Sequence, residues 1–249
     1  MFPQYEEKCP EGAYEFEFEV SENEVDEHGN MKLIDAARRM EFATEHHLSM
    51  FDVDKPHLDA TNKSWVVSWN EVYFKRFPKA GEKLLLRTWF SKNKTMMYSK
   101  KYAFFDENKE AIVSATTLFI LMDKNTRKMT TMPEGVKPFT IIEVPDEPGY
   151  PKMIAKQPFE LKKETKRVVT PDEIDSNGHL NNAYYIGWTE DLLKESGNEG
   201  HMPKKLWIQY TKELREGQEV SLKYDVQDGV LFVRGSSEEA ESFVAYIEF

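Results

Sequence analysis

The chain repeats itself, and that constrains its fold more than any single motif. Val25-Asp26-Glu27-His28-Gly29-Asn30-Met31 resembles Ile174-Asp175-Ser176-Asn177-Gly178-His179-Leu180, with Asp26 and Asp175 separated by 175 − 26 = 149 positions. The same offset pairs Gly29 with Gly178 and Glu41 with Glu190. One register held across apolar, acidic and glycine positions points to duplication of a domain-sized unit, and self-similarity at that scale sets the architecture before any motif is consulted.

Each copy reads in the same way. Residues 13–20 alternate, with Tyr14, Phe16, Phe18 and Val20 on one face and Glu15, Glu17 and Glu19 on the other, the period of a half-buried strand. From Met31 to about His47, Leu33, Ala36, Ala37, Met40, Ala43 and His47 fall on one helical face with no intervening proline. Leu180, Ala183, Tyr184, Gly187 and Trp188 repeat that face in a second helix, 180–195. Four β-rich runs follow in the first copy, near 65–74, 83–91, 95–105 and 111–121; the second copy offers 206–214, 220–226, 229–235 and 241–249. A strand, one long helix and four antiparallel strands predict an α+β unit, a curved sheet wrapped around a helix that must bury its apolar face. Pro138, Pro145, Pro148, Pro151 and Pro158 mark residues 138–158 as a surface-running linker between units 1–137 and 159–249. The second unit is of marginal size for an independent core, so it is expected to dock on the first through a continuous sheet.

Composition narrows the partners. With 33 Lys and Arg against 44 Asp and Glu, the net charge of −11 argues against nucleic acid or an anionic membrane as the main partner. Cys9 is the single cysteine, which excludes an internal disulfide and Cys-rich metal sites and suits a reducing compartment. The N-terminus has no apolar signal core and no 18-residue apolar run occurs, so a soluble cytoplasmic protein is expected. Nothing in the sequence excludes a homodimer.

The G-x-S-x-G elbow, the Walker A loop, G-x-G-x-x-G and H-E-x-x-H are all missing. What stands out is Asp175-Ser176-Asn177-Gly178-His179-Leu180-Asn181-Asn182, a dense polar stretch before an apolar helix. A turn plus helix N-cap accounts for Asn181 or Asn182. It does not account for Asp, Asn and His at alternating positions, which would point one way if the segment were extended.

That cluster, continued by Tyr185-Ile186-Gly187-Trp188, resembles the signature of acyl-acyl carrier protein thioesterases, the fatty-acid-releasing family of plastids and bacteria. Tyr210-Thr211-Lys212-Glu213 resembles that family's later strand motif, and Ala115-Thr116-Thr117-Leu118 with Asp123-x-x-Thr126-Arg127 a segment of its first half. The resemblance spans roughly residues 14–220. It implies a tandem double hotdog fold, hydrolysis of fatty acyl-acyl carrier protein without any cofactor, an acyl chain held in the first repeat, and a catalytic set of Asp175, Asn177, His179 and Glu213. One departure is informative: plant members carry Cys after the Glu, and Leu214 stands there. Leucine cannot attack a thioester, and Cys9 lies far from any candidate base in sequence, so covalent thiol catalysis is disfavoured.

Thioester hydrolysis needs an activated water, a donor for the oxygen that gains charge, and a proton for the departing thiolate. Glu213 is a candidate base assisted by His179, since imidazoles titrate near neutrality. Asn177 and backbone N–H groups at the start of the 180–195 helix are candidate oxyanion donors, and Asp175 would orient His179 or its neighbours. Sequence does not divide the roles of Glu213 and His179, and Glu190 competes as a helix-borne carboxylate. In the first copy His28 and Asn30 interchange the polar pair, so no second active site is expected, and Asp26, His28, His46 and His47 form no closed metal-ligand set. Lys162, Lys163, Lys166, Arg167, Lys204, Lys205, Lys212 and Arg215 are expected to steer an acidic carrier protein to the entrance. Acyl-coenzyme A hydrolysis, or acyl binding without turnover, are the alternatives.

Overall fold

The computed structural model describes residues 2–94, 96–143, 157–198, 201–238 and 240–249. The first copy comprises β1 (Tyr14–Glu19), α1 (Leu33–Ser49), the short α2 (Lys55–Asp59), β2 (Lys63–Phe74), β3 (Lys83–Lys94), β4 (Met97–Phe105) and β5 (Ala111–Asp123). The second comprises β6 (Lys163–Val168), α3 (Asn182–Glu195), β7 (Lys205–Tyr210), β8 (Glu219–Gln227), β9 (Val230–Ser236) and β10 (Glu241–Glu248). All ten strands form one antiparallel sheet in the order β1-β3-β4-β5-β2-β7-β10-β9-β8-β6. Read inward from either edge, the two halves have the same strand order, and they join where β2 pairs β7 from Trp69↔Gln209 to Tyr73↔Lys205.

The offset read in the sequence governs the front of each copy. The first strands, the 3-10 turns and the long helices begin 163 − 14, 171 − 22 and 182 − 33 residues apart, 149 in every case. After the helices the register lapses, because α1 has 17 residues against 14 in α3 and only the first copy carries α2. Sheet-to-helix geometry is thus duplicated where the polar turn sits, and varied behind it.

The two halves share one core. Leu33, Ala36 and Met40 of α1 join Ile186 and Leu192 of α3 and Ile208, Val233 and Phe243 of the second half in a single apolar cluster. The helices lie close at Gly187, where an added Cβ would come within 3.0 Å of Ile34 Cδ1. Ile186 and Leu192 are almost fully buried, so truncating either to Ala should cost about 2–5 kcal/mol. No described helix is long and apolar enough to cross a membrane.

Two expectations need correction. Residues 138–143 do not leave the first unit: Phe139 is buried and stacks on Phe90 with ring centroids 4.0 Å apart, and the Ile142 N–H donates to the Phe90 carbonyl at 2.9 Å. Aromatic burial here outweighs the proline bias, while residues 144–156 of the expected linker lie outside the described residues. The run 206–214 is not all strand. β7 stops at Tyr210, because the next two N–H groups, of Thr211 and Lys212, both turn to the Ser242 carbonyl at 2.9 and 3.2 Å and end the ladder.

Candidate active site

The polar stretch before α3 is a turn, not an extended strand. Asp175 Oδ1 accepts the backbone N–H groups of Asn177 at 2.8 Å and His179 at 3.1 Å, and the Gly178 N–H closes on the Asp175 carbonyl at 3.0 Å. Gly178 has φ +79°, a region that side chains disfavour, which suits glycine there. The alternating Asp, Asn and His therefore do not project in parallel. Asp175 shapes the loop that carries His179 by accepting backbone N–H groups. The exposed Asn177 turns its amide back on Asp175 Oδ2 at 3.2 Å.

The structure does bring His179 and Glu213 together. Beyond the end of β7, Leu214 is 0% exposed and its carbonyl accepts the Leu180 N–H at 2.8 Å, so the residue before it is held against the His179 loop. Leu214, where the resemblance leads to the cysteine of the plant members, is buried in the main apolar core. Glu213 Oε2 lies 3.2 Å from His179 Nε2, with the two side chains 31% and 19% exposed. That nitrogen is itself buried, and among the described residues it has no aligned hydrogen-bond partner. Arg127, which the sequence placed in a matching segment but not in the site, pairs through Nη2 with Glu213 Oε1 at 2.8 Å.

At the start of α3, Asn181 Oδ1 caps the Ala183 N–H at 2.8 Å, and Asn181 Nδ2 donates to Glu41 Oε2 at 3.1 Å. Among the described residues, the N–H of Asn182 meets no protein acceptor. The matching N–H in α1, that of Leu33, is taken by Glu190 Oε2 at 3.1 Å. The carboxylate that competed for the role of base is thus a cap on the other helix. Burial pushes the carboxyls of both Glu41 and Glu190 up to about 7, against the hydrogen bonds that each accepts.

Three of the eight basic residues expected at the entrance pair with the chain's own acids. Lys166 pairs with Glu219 at 2.7 Å, Arg167 with Asp191 and Glu195 at 2.9 and 3.3 Å, and Lys205 with Glu71 at 2.9 Å. Lys166 and Arg167 lie on β6 and Lys205 on β7, each beside acidic neighbours. Cys9 is half-buried, and burial followed by the nearby Glu15 raises its thiol, which disfavours the nucleophilic thiolate.

Comparison with known proteins shows the family and the fold. The family model described as the acyl-ACP thioesterase N-terminal domain matches residues 11–138, and that of the acyl-ACP thioesterase C-terminal domain matches residues 157–245. A chloroplastic palmitoyl-acyl carrier protein thioesterase of Gossypium hirsutum is 27% identical over 165 residues, covering 64% of this chain and 40% of the relative. A chloroplastic dodecanoyl-[acyl-carrier-protein] hydrolase of Umbellularia californica is 24% identical over 156 residues, covering 60% of this chain and 41% of the relative. The matches thus span about two fifths of these relatives' own length. Among solved structures, an acyl-ACP thioesterase from Bacteroides thetaiotaomicron superposes with a TM-score of 0.80 at 20% identity, over 96% of this chain and 98% of that one. The 12:0-ACP thioesterase of Umbellularia californica gives 0.81 at 18% identity, over 97% and 98%. The shared fold is the tandem hotdog.

Proposed function

Because the chain belongs to the acyl-ACP thioesterase family, we propose that it hydrolyses fatty acyl thioesters of acyl carrier protein to free fatty acid and carrier protein. The observation that carries the reading is the His179–Glu213 pair, 3.2 Å apart beside the start of α3. A water held at this pair would give up a proton to it while its oxygen attacks the thioester carbon. The carbonyl oxygen, gaining negative charge, would lie at the helix N-terminus, where the Asn182 N–H has no acceptor among the described residues and the helix dipole favours an anion. Collapse of the tetrahedral species breaks the C–S bond, and the proton taken from water returns to the departing thiolate. Asp175 and Asn177 serve this scheme by building the turn that presents His179.

No thiol enters the scheme, in keeping with Leu214 in the core and the raised Cys9 thiol. The test is steady-state hydrolysis of matched acyl-carrier-protein and acyl-coenzyme A substrates over graded chain lengths. Preference for the carrier substrate at one chain length supports the proposal. Preference for coenzyme A throughout would move the assignment to an acyl-coenzyme A thioesterase, and no turnover of either would leave an acyl-binding protein.

A further inference from the structure

We infer that Arg127, contributed by the first copy, is a positioning residue for this reaction: it pins one oxygen of Glu213 so that the other faces His179. The inference rests on the reading of His179 and Glu213 as the reacting pair.

Arg127 sits in the turn that follows β5. Asp123 Oδ1 accepts the N–H groups of Asn125 and Thr126 at 3.1 and 2.8 Å and the Thr126 hydroxyl at 2.9 Å. The Arg127 N–H donates to the Asp123 carbonyl, and the Asp123 N–H to the Lys128 carbonyl, each at 2.9 Å. These bonds hold Arg127 at φ +55°, a left-handed conformation uncommon for a residue with a long side chain. Its backbone is therefore fixed on both sides, and its guanidinium reaches Glu213, 86 residues further on (213 − 127) and in the other copy.

The contact is not explained by stability. The Arg127 side chain is 56% exposed, and ion pairs so open to solvent contribute little to folding. It does fix an orientation. Glu213 stands on a segment that has left the sheet, and its two oxygens are divided, Oε1 to Arg127 at 2.8 Å and Oε2 towards His179 at 3.2 Å. A guanidinium on one oxygen removes the rotation that would carry the other away from the ring. Small misplacements of a reacting group can cost about 10²-fold in rate.

The experiment is a double-mutant cycle in the full chain, with R127M, R127K, E213Q and R127M/E213Q. Turnover is measured on acyl carrier protein and on the matching acyl pantetheine thioester, which has no phosphate, beside thermal melting. The expected result for R127M is a fall in kcat of about 10- to 10²-fold on both substrates, with KM and the melting midpoint little changed. R127K should recover part of the loss, and R127M should add nothing in the E213Q background. Additive losses, a loss confined to KM, or a loss seen only with the carrier substrate would overturn the inference, the last by making Arg127 a contact for the carrier or its phosphate. Full activity of R127M with E213Q inactive would sink Arg127 alone, whereas an active E213Q would remove the reacting pair itself. Should R127M melt early, the R127K comparison and the two substrates decide between the same outcomes.

Discussion

The first and second copies build the same turn and arm it differently. Asp26 Oδ1 accepts the N–H groups of His28 and Asn30, both at 2.9 Å, and the Gly29 N–H closes on the Asp26 carbonyl at 3.0 Å with φ +71° at Gly29. Asp175, Asn177, Gly178 and His179 repeat that pattern. What changes is the side chain delivered. Asn30 accepts a hydrogen bond from Lys79 Nζ at 2.6 Å, while His179 faces Glu213. The helix ends differ too. Glu190 occupies the first N–H of α1, whereas Asn181 caps α3 one residue further in and draws Glu41 to itself. A shared aspartate therefore marks a shared scaffold; what differs is the side chain that the scaffold holds out and whether the first N–H of the helix is taken.

The strongest way to break this comparison is to separate the copies. Residues 159–249 alone would expose the α1-facing side of their core and the β7 edge that pairs β2, so no cooperative, monomeric melt is expected. A stable monomeric fragment would make the copies independent domains. Next in size is the contrast between equivalent positions. His179→Ala and Glu213→Gln should each lower kcat/KM by about 10²-fold or more, with folding retained, while Asn30→Ala should leave it within about two- to threefold, as expected for a site outside the chemistry. A loss at Asn30 equal to that at His179 would mean that both turns serve the reaction.

Glu190→Ala sharpens the comparison through stability. It removes a charge-capable acceptor from the first N–H of α1, and should cost about 1–3 kcal/mol by thermal or denaturant melting, with turnover kept. Loss of turnover there, with Glu213→Gln spared, would move the base onto the helix. The smallest effect is in pH. Glu41 and Glu190 rise from an ordinary 4.5 to about 7 in the folded chain, so the native state binds more protons than the unfolded state between those values. Stability attributable to them is full below about pH 4.5 and falls as pH rises to about 7. Glu41→Gln and Glu190→Gln should each flatten that fall by a few degrees of melting temperature at most, because both groups keep some exposure. An unchanged slope in the double variant would show that neither carboxyl is held protonated by burial.

Much of the architecture was written locally. Alternation in 13–20, the apolar stripe of 31–47 and the common offset are properties of near neighbours in the chain, and β1, α1 and α3 form where those neighbours demand it. The His179 loop was found by its residue types, but its shape was not: alternation suggested an extended segment, and the Asp175 carboxylate with the positive φ of Gly178 made it a turn. The end of β7 escaped for a similar reason, since one carbonyl, that of Ser242, collects two successive N–H groups.

Sequence alone thus determined the duplicated α+β plan, the polar turn before each long helix, and the residue types able to do hydrolysis. Tertiary structure decided their partners. That Glu213 meets His179 across 34 positions (213 − 179), that Arg127 reaches Glu213 from the other copy, and that Glu190 caps α1 all follow from one sheet bringing both halves to a common face. Periodicity and turn chemistry are carried by short-range sterics and hydrogen bonding, which neighbours in the chain encode. Contacts between distant residues depend on where every intervening element packs, and no local pattern in the chain carries that information.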